Sequence, residues 1–110
     1  AGAVGKGLIR KASEMNKLAI GVDIDQHFLA PDHVITSMLK KVKDAIYQTT
    51  KSFTDGVFQG GQNVEYGLAE SMIDVTPISN PRVPSELDLE IQSLKEKIID
   101  GDIHIPEKSL

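Results

Sequence analysis

The sequence predicts an α/β domain, and three observations carry that prediction. Two apolar runs, Leu18 to Val22 and Val34 to Met38, are too short for helices and read as buried strands. Stretches with one apolar stripe at helical spacing flank them, the alternation that builds a sheet covered by helices. The first run ends abruptly in two acids, Asp23 and Asp25. That is how a strand delivers carboxylates to the sheet edge where open α/β folds keep their ligands.

Gly2, Gly5 and Gly7 punctuate a turn into the first helix. Val4, Leu8, Ile9, Ala12 and Met15 share its apolar face, Lys6, Arg10, Lys11 and Glu14 lie off it, and Asn16 is the stop signal. After the first strand, Asp23 to His33 is a loop, in which Pro31 bars a continuing central strand and biases Ala30 toward an extended shape. The second strand carries β-branched Val34, Ile35 and Thr36. In the next helix Val42, Ala45, Ile46, Thr49 and Phe53 form one stripe, and Gly56 ends it. Gly60 and Gly61 turn the chain toward a third strand around Val64 to Leu68. Glu70 to Arg82 reads as irregular, broken by Pro77 and Pro81. Ser85, with Asp88 three residues on, is a weak capping box for a last helix. Its buried stripe is Leu87, Ile91, Leu94 and Ile98, and Gly101 stops it before a tail from Asp102 to Leu110. A three-stranded sheet is narrow, and no strand precedes the first helix. We therefore expect residues 1–110 to be one portion of a longer domain, with a sheet side left open.

A chain of 110 residues suits one domain at most, and its composition, 40% hydrophobic and 25% charged, suits a globular fold. The formal net charge of −4 argues against a nucleic-acid partner, which would need a basic face. The one small basic cluster, Lys40, Lys41 and Lys43, reads as a solvated helix start. Without cysteine there is neither a disulfide framework nor a thiolate metal site.

Asp23 and Asp25, two apart, can act as acid and base, hold a hard cation, accept hydrogen bonds from vicinal hydroxyls, or merely cap the loop or pair with Lys17. The glycine-rich start can bring backbone N–H groups to an anion or a hydroxyl, but it is neither a P-loop nor a dinucleotide fingerprint. His27, His33 and His104 show no metal-ligand spacing, and no serine sits in a nucleophile elbow. No catalytic set, metal site or cofactor is expected. Phe28 and Tyr66 can stack on a base, or anchor the loop and pack within the sheet.

In order, Ala1-Gly-Ala-Val-Gly-Lys-Gly7, Ile20-Gly-Val-Asp-Ile-Asp-Gln26, Leu29-Ala-Pro31 and Val34-Ile-Thr-Ser-Met-Leu-Lys-Lys41 resemble the C-terminal part of the basic membrane protein family. Phe58-Gln-Gly-Gly61, Tyr66-Gly-Leu68, Ile98-Ile-Asp-Gly101 and Ile105-Pro106 continue the resemblance over nearly the whole chain. These are lipoproteins of bacterial ABC transport systems, similar to a purine nucleoside receptor. The resemblance implies part of a type I periplasmic-binding-protein fold, a mostly parallel sheet flanked by helices, in which a nucleoside is trapped between two lobes and Val34 to Met38 crosses the hinge. It implies Asp23 as acceptor for ribose hydroxyls, a backbone contact from Gly2, and Asp25 beside them as a ligand or loop-shaping residue. It also implies a transporter permease as partner, an N-terminal lipid anchor in the complete protein and a place in the cell envelope. The chain departs from the family at Ala69, where a sugar-holding lysine is common. Losing such a charged hydrogen bond costs ~1.5–3 kcal/mol. That departure motivates an alternative, a surface lipoprotein or adhesin with a degenerate pocket. Apolar faces left open along Leu8 and Ile9 would favour self-association.

Overall fold

A computed structural model describes residues 4–78 and 80–106. Helix α1 (Gly5–Glu14) runs to Met15, and Asn16 leaves the helix with a φ of 53°. Asn16 is among the residues that tolerate this left-handed region, so the expected stop signal works by conformation. Lys17 N–H then donates to Ala12 O at 2.7 Å and turns the chain into strand β1 (Ala19–Asp23). Ile9 is 1% exposed and packs with Ala19, Ala30 and Val34, which fastens α1 to the sheet. Burying such a side chain is worth about 1.5–3 kcal/mol. Ile9 is therefore core rather than part of an open face, whereas Leu8 stays exposed.

Strand β2 (Val34–Lys40) lies beside β1 in parallel, with Gly21 opposite Ser37 and Asp23 opposite Leu39. Residues 24–33 make the connection, and a 3₁₀ turn at His27–Leu29 stands where parallel strands usually need a helix. The third strand differs from expectation. It is β3 (Ile73–Val75), antiparallel to β2, with Met38 opposite Val75 and Lys40 opposite Ile73. The order is β1-β2-β3, so the sheet is parallel on one side and antiparallel on the other. Val64 to Leu68 forms no strand, because the chain folds back on itself there. Gly67 O accepts from both Met72 and Ile73 N–H, and Glu70 Oε2 accepts from Gly67 N–H at 2.7 Å. That turn feeds the following residues, expected to be irregular, into the ladder.

Helix α2 (Val42–Thr54) is present, but its apolar stripe is not covered: Val42, Ile46 and Phe53 are all exposed. Helix α3 (Glu86–Ile99) begins without a side-chain cap, since Ser85 is itself helical and makes no capping bond. Asp88, its expected capping partner, instead accepts from Ile78 N–H at 3.0 Å. Acids in the first turn, Glu86 and Asp88, still suit the helix dipole. The α3 stripe faces the sheet across a groove of about 190 Å³ between Ile91, Leu94 and Ile98 and β3, so it is half covered rather than buried. Both helices stop as expected at glycines in the left-handed region, Gly56 (φ 73°) and Gly101 (φ 82°).

Candidate functional site

The parallel pair directs the C-terminal ends of β1 and β2 to one edge, and the N-terminus of α1 comes to the same edge. A cleft of about 360 Å³ opens there, lined by Gly5, Leu8, Ile20, Val22, Asp23, Ile24 and Gln26, with Ile9 at its base. Its walls are largely aliphatic, its charged side chain is Asp23, and Gln26 is the other polar side chain in the lining.

Asp23 ends β1 with a φ of 74°. A non-glycine residue in that region carries strain of order 1–3 kcal/mol and survives only where the surroundings impose it. Lys40, the last residue of β2, places its Nζ 3.4 Å from Asp23 Oδ1, with both side chains more than half exposed. An exposed pair of this kind is worth about 0–1 kcal/mol. The carboxylate is thus oriented but not consumed, and an entering hydroxyl can compete for it. The first turn of α1 has no capping side chain and no acid, so its amide N–H groups lack intrahelical partners where Gly5 lines the cleft.

The loop behind Asp23 is tied to Ser37, which is fully buried. Gln26 N–H donates to Ser37 Oγ at 3.0 Å, and Gln26 Oε1 accepts from Val22 N–H at 3.0 Å. Asp25 Oδ1 accepts from His27 N–H at 2.9 Å and from Ser37 Oγ at 3.5 Å. Asp25 Oδ1 is thus engaged within the loop, while Asp23 stands at the sheet edge. Gly21 is required here: a Cβ on it would stand 2.3 Å from Ser37 Oγ. The motif Gly21-Val-Asp-Ile-Asp-Gln26 is thus one device, with a glycine for the close approach, Asp25 and Gln26 as ties, and Asp23 presented at the edge.

Gly2 lies outside the described residues. Ala69 is exposed in the turn from Gly67 to Met72 and does not line the cleft. Phe28 is exposed on the 3₁₀ turn rather than anchoring its loop, and Tyr66 is half-buried beside Lys40 and Met72. Sequence reasoning missed Lys40, which it assigned to a solvated helix start. The contact depends on the strand pairing: β1 and β2 run in parallel with Asp23 opposite Leu39, and Lys40, the next residue, reaches Asp23. Among the described residues no group of three histidines or acids is placed to hold a metal, and no helix is long and apolar enough to cross a membrane.

A family model for Bmp, described as ABC transporter substrate-binding protein PnrA-like, matches residues 1–109. The chain belongs to the Bmp family. It is 41% identical over 110 residues to basic membrane protein A of Borreliella burgdorferi, which covers 96% of this chain and 32% of that protein. Basic membrane protein D of the same species is 36% identical over 110 residues, again with 96% of this chain and 32% of that protein covered. The chain thus spans about a third of the length of these curated relatives. Two solved structures share the fold. A Bacillus halodurans protein described as a transcriptional activator of the comK gene superposes with a TM-score of 0.81 at 21% identity, covering 92% of this chain and 35% of that one. A solute-binding protein of an Aeropyrum pernix ABC transporter system superposes with a TM-score of 0.65 at 24% identity, covering 93% and 37%. The Bmp family is one of substrate-binding proteins.

Proposed function

We propose that residues 1–110 are the C-terminal portion of a solute-binding protein serving an ABC transporter, and that the Asp23 cleft is their share of a nucleoside site. The observation that carries this reading is Asp23 itself: a strained, exposed carboxylate at the ligand edge of the sheet, flanked by the Lys40 ammonium and the amide-rich start of α1. A carboxylate with free lone pairs suits the vicinal hydroxyls of a ribose, and the aliphatic walls suit the faces of a sugar and a purine. Lys40 would supply from β2 the cation that family members carry where this chain has Ala69. Gly2 would add a backbone contact, and Asp25 would act by holding the loop. The aromatic groups that stack on the base would come from the opposing lobe. The complete protein would stand outside the cytoplasm in the cell envelope, held to the membrane by an N-terminal lipid, and deliver its ligand to the permease. It has no catalytic step and needs no cofactor.

The test is calorimetric titration of guanosine and adenosine, each with its 2′,3′-dideoxy counterpart, into the longest chain expressed from the gene. Asp23→Ala should weaken ribonucleoside binding at least tenfold, corresponding to about 1.4 kcal/mol, and should not weaken dideoxynucleoside binding further. Equal affinities for ribo- and dideoxy ligands in the unmodified protein would remove Asp23 from the sugar site. The second reading, a surface lipoprotein or adhesin with a degenerate pocket, rests on Ala69. It gains if no nucleoside binds at all.

A further inference from the structure

Gln26 lines the Asp23 cleft, and three restraints hold its side chain there. Its backbone N–H donates to the buried Ser37 Oγ at 3.0 Å. A Cβ on Gly21 would stand 3.0 Å from Gln26 Cβ, so the side chain starts in space that only a glycine leaves open. Its Oε1 accepts from Val22 N–H at 3.0 Å. That bond also settles which end of the carboxamide is which, because an NH2 group in that place would meet another donor. What remains is Nε2, whose two N–H groups no hydrogen bond among the described residues uses. An amide held in this way has lost rotamer freedom before any ligand arrives, so a hydrogen bond from it costs less in ordering.

We propose that Gln26 Nε2 is a recognition donor of this cleft and selects a ligand that carries an unprotonated ring nitrogen, as a purine base does. This inference rests on the nucleoside reading of Asp23. The division of labour follows from what each group can offer. An ionised Asp23 only accepts, so it takes the hydroxyl hydrogens of the sugar. The free end of Gln26 only donates, so it takes a lone pair, and the ring nitrogens of a purine supply lone pairs without hydrogens. The other side chains of the lining, Leu8, Ile9, Ile20, Val22 and Ile24, are apolar and serve the faces of the base rather than its edge. At about 360 Å³ the cleft is near the small end of ligand pockets, so a ligand that reaches Asp23 also lies against Gln26. A ligand without the acceptor leaves the donor unpaired, which is how hydrogen-bonding sites reject close analogues.

Calorimetric titration of adenosine and its 1-deaza, 3-deaza and 7-deaza analogues into the longest chain expressed from the gene tests this. One analogue should bind about tenfold more weakly than adenosine, the worth of one ordinary hydrogen bond. Gln26→Glu is the discriminating variant. It keeps an oxygen for Val22 N–H, and with it the loop, but sets a second oxygen where the NH2 group stood. It should weaken adenosine at least about tenfold and leave the sensitive analogue, which has a C–H in place of the lone pair, unchanged. A loss shared equally by adenosine and all three analogues marks a merely structural role and overturns the proposal. So do three analogues that bind as tightly as adenosine. If Gln26→Glu does not fold, the analogue series on the unmodified protein decides. Asp23→Ala separates this inference from the reading beneath it. If that variant loses adenosine and Gln26→Glu does not, the sugar site stands and the donor role of Gln26 falls. If the unmodified protein binds no nucleoside, both fall.

Discussion

Between Ile9 and Ser37 the chain buries Ile9, Ala19, Ala30, Val34, Thr36 and Ser37, while beyond Lys40 only Met72 and Asn80 reach that depth among the described residues. The first region is held by a small core plus a set of side-chain ties to Ser37. In the second region, α2 leaves Ile46, Tyr47 and Phe53 exposed, and α3 meets the sheet across an open groove. The difference falls where the fold would lead one to expect it. The region that positions Asp23 is over-determined by its own residues, whereas among the described residues the α2 stripe stays exposed and the α3 stripe is half covered.

The sharpest way to break that comparison is one truncation in each region. Ile9→Ala removes a fully buried side chain and should cost about 2–5 kcal/mol in urea unfolding. Phe53→Ala, on the exposed end of α2 with an edge-on contact to Phe58 at 6.0 Å, should stay within about 0.5 kcal/mol of the unmodified chain. Comparable losses would mean that α2 has a covered face and that the two regions are built alike.

A finer test lies inside the first region. Gly21→Ala pushes a methyl against Ser37 Oγ at 2.3 Å, and overpacking of this kind costs about 1–3 kcal/mol. Ser37→Gly should recover part of that loss in the double variant, although the Gln26 and Asp25 ties go with the hydroxyl. If Gly21→Ala melts at the unmodified temperature, the loop does not owe its shape to the close approach of β1 and β2.

How much of this was legible in the sequence follows the same division. The first helix, the two parallel strands and all three helix stops could be read, because each rests on a local signal: period, β-branching, or a residue that tolerates positive φ. Asp23 at a strand end was legible for the same reason. What could not be read depended on partners distant in sequence. Lys40 reaches Asp23 across the β1–β2 pairing, and Asp25 is tied to His27 and Ser37. The third strand was misplaced because Val64 to Leu68 has strand composition but folds into a turn closed by Glu70. Residues Ile73 to Val75 have too short a pattern to announce themselves, and they become a strand only because β2 offers a free edge. The α2 and α3 stripes were read correctly as apolar, but a stripe says nothing about whether its cover lies within the same 110 residues.

The smallest expected effect concerns what holds the second region in place of a core. Asp74 on β3 accepts from Lys95 Nζ of α3 at 2.9 Å, and Lys41 Nζ lies 3.5 Å from its other oxygen. Burial alone would raise the Asp74 pKa, but the Lys95 hydrogen bond, the Val75 N–H and the two lysine charges outweigh it and hold the carboxyl below its ordinary value. The group binds its proton less readily folded than unfolded. Its stabilisation is therefore complete above the unfolded carboxylate range, near about pH 4, and is lost as pH falls through the lowered native value. Asp74→Asn should cost about 1 kcal/mol at neutral pH, a charged hydrogen bond discounted for partial exposure, and nothing further in acid. The loss should appear first as weaker amide protection in α3, with β1 and β2 unchanged, because α3 leans on this ion cluster while the parallel pair leans on Ile9 and Ser37. Loss spread evenly over both regions would show that Asp74 supports the whole sheet.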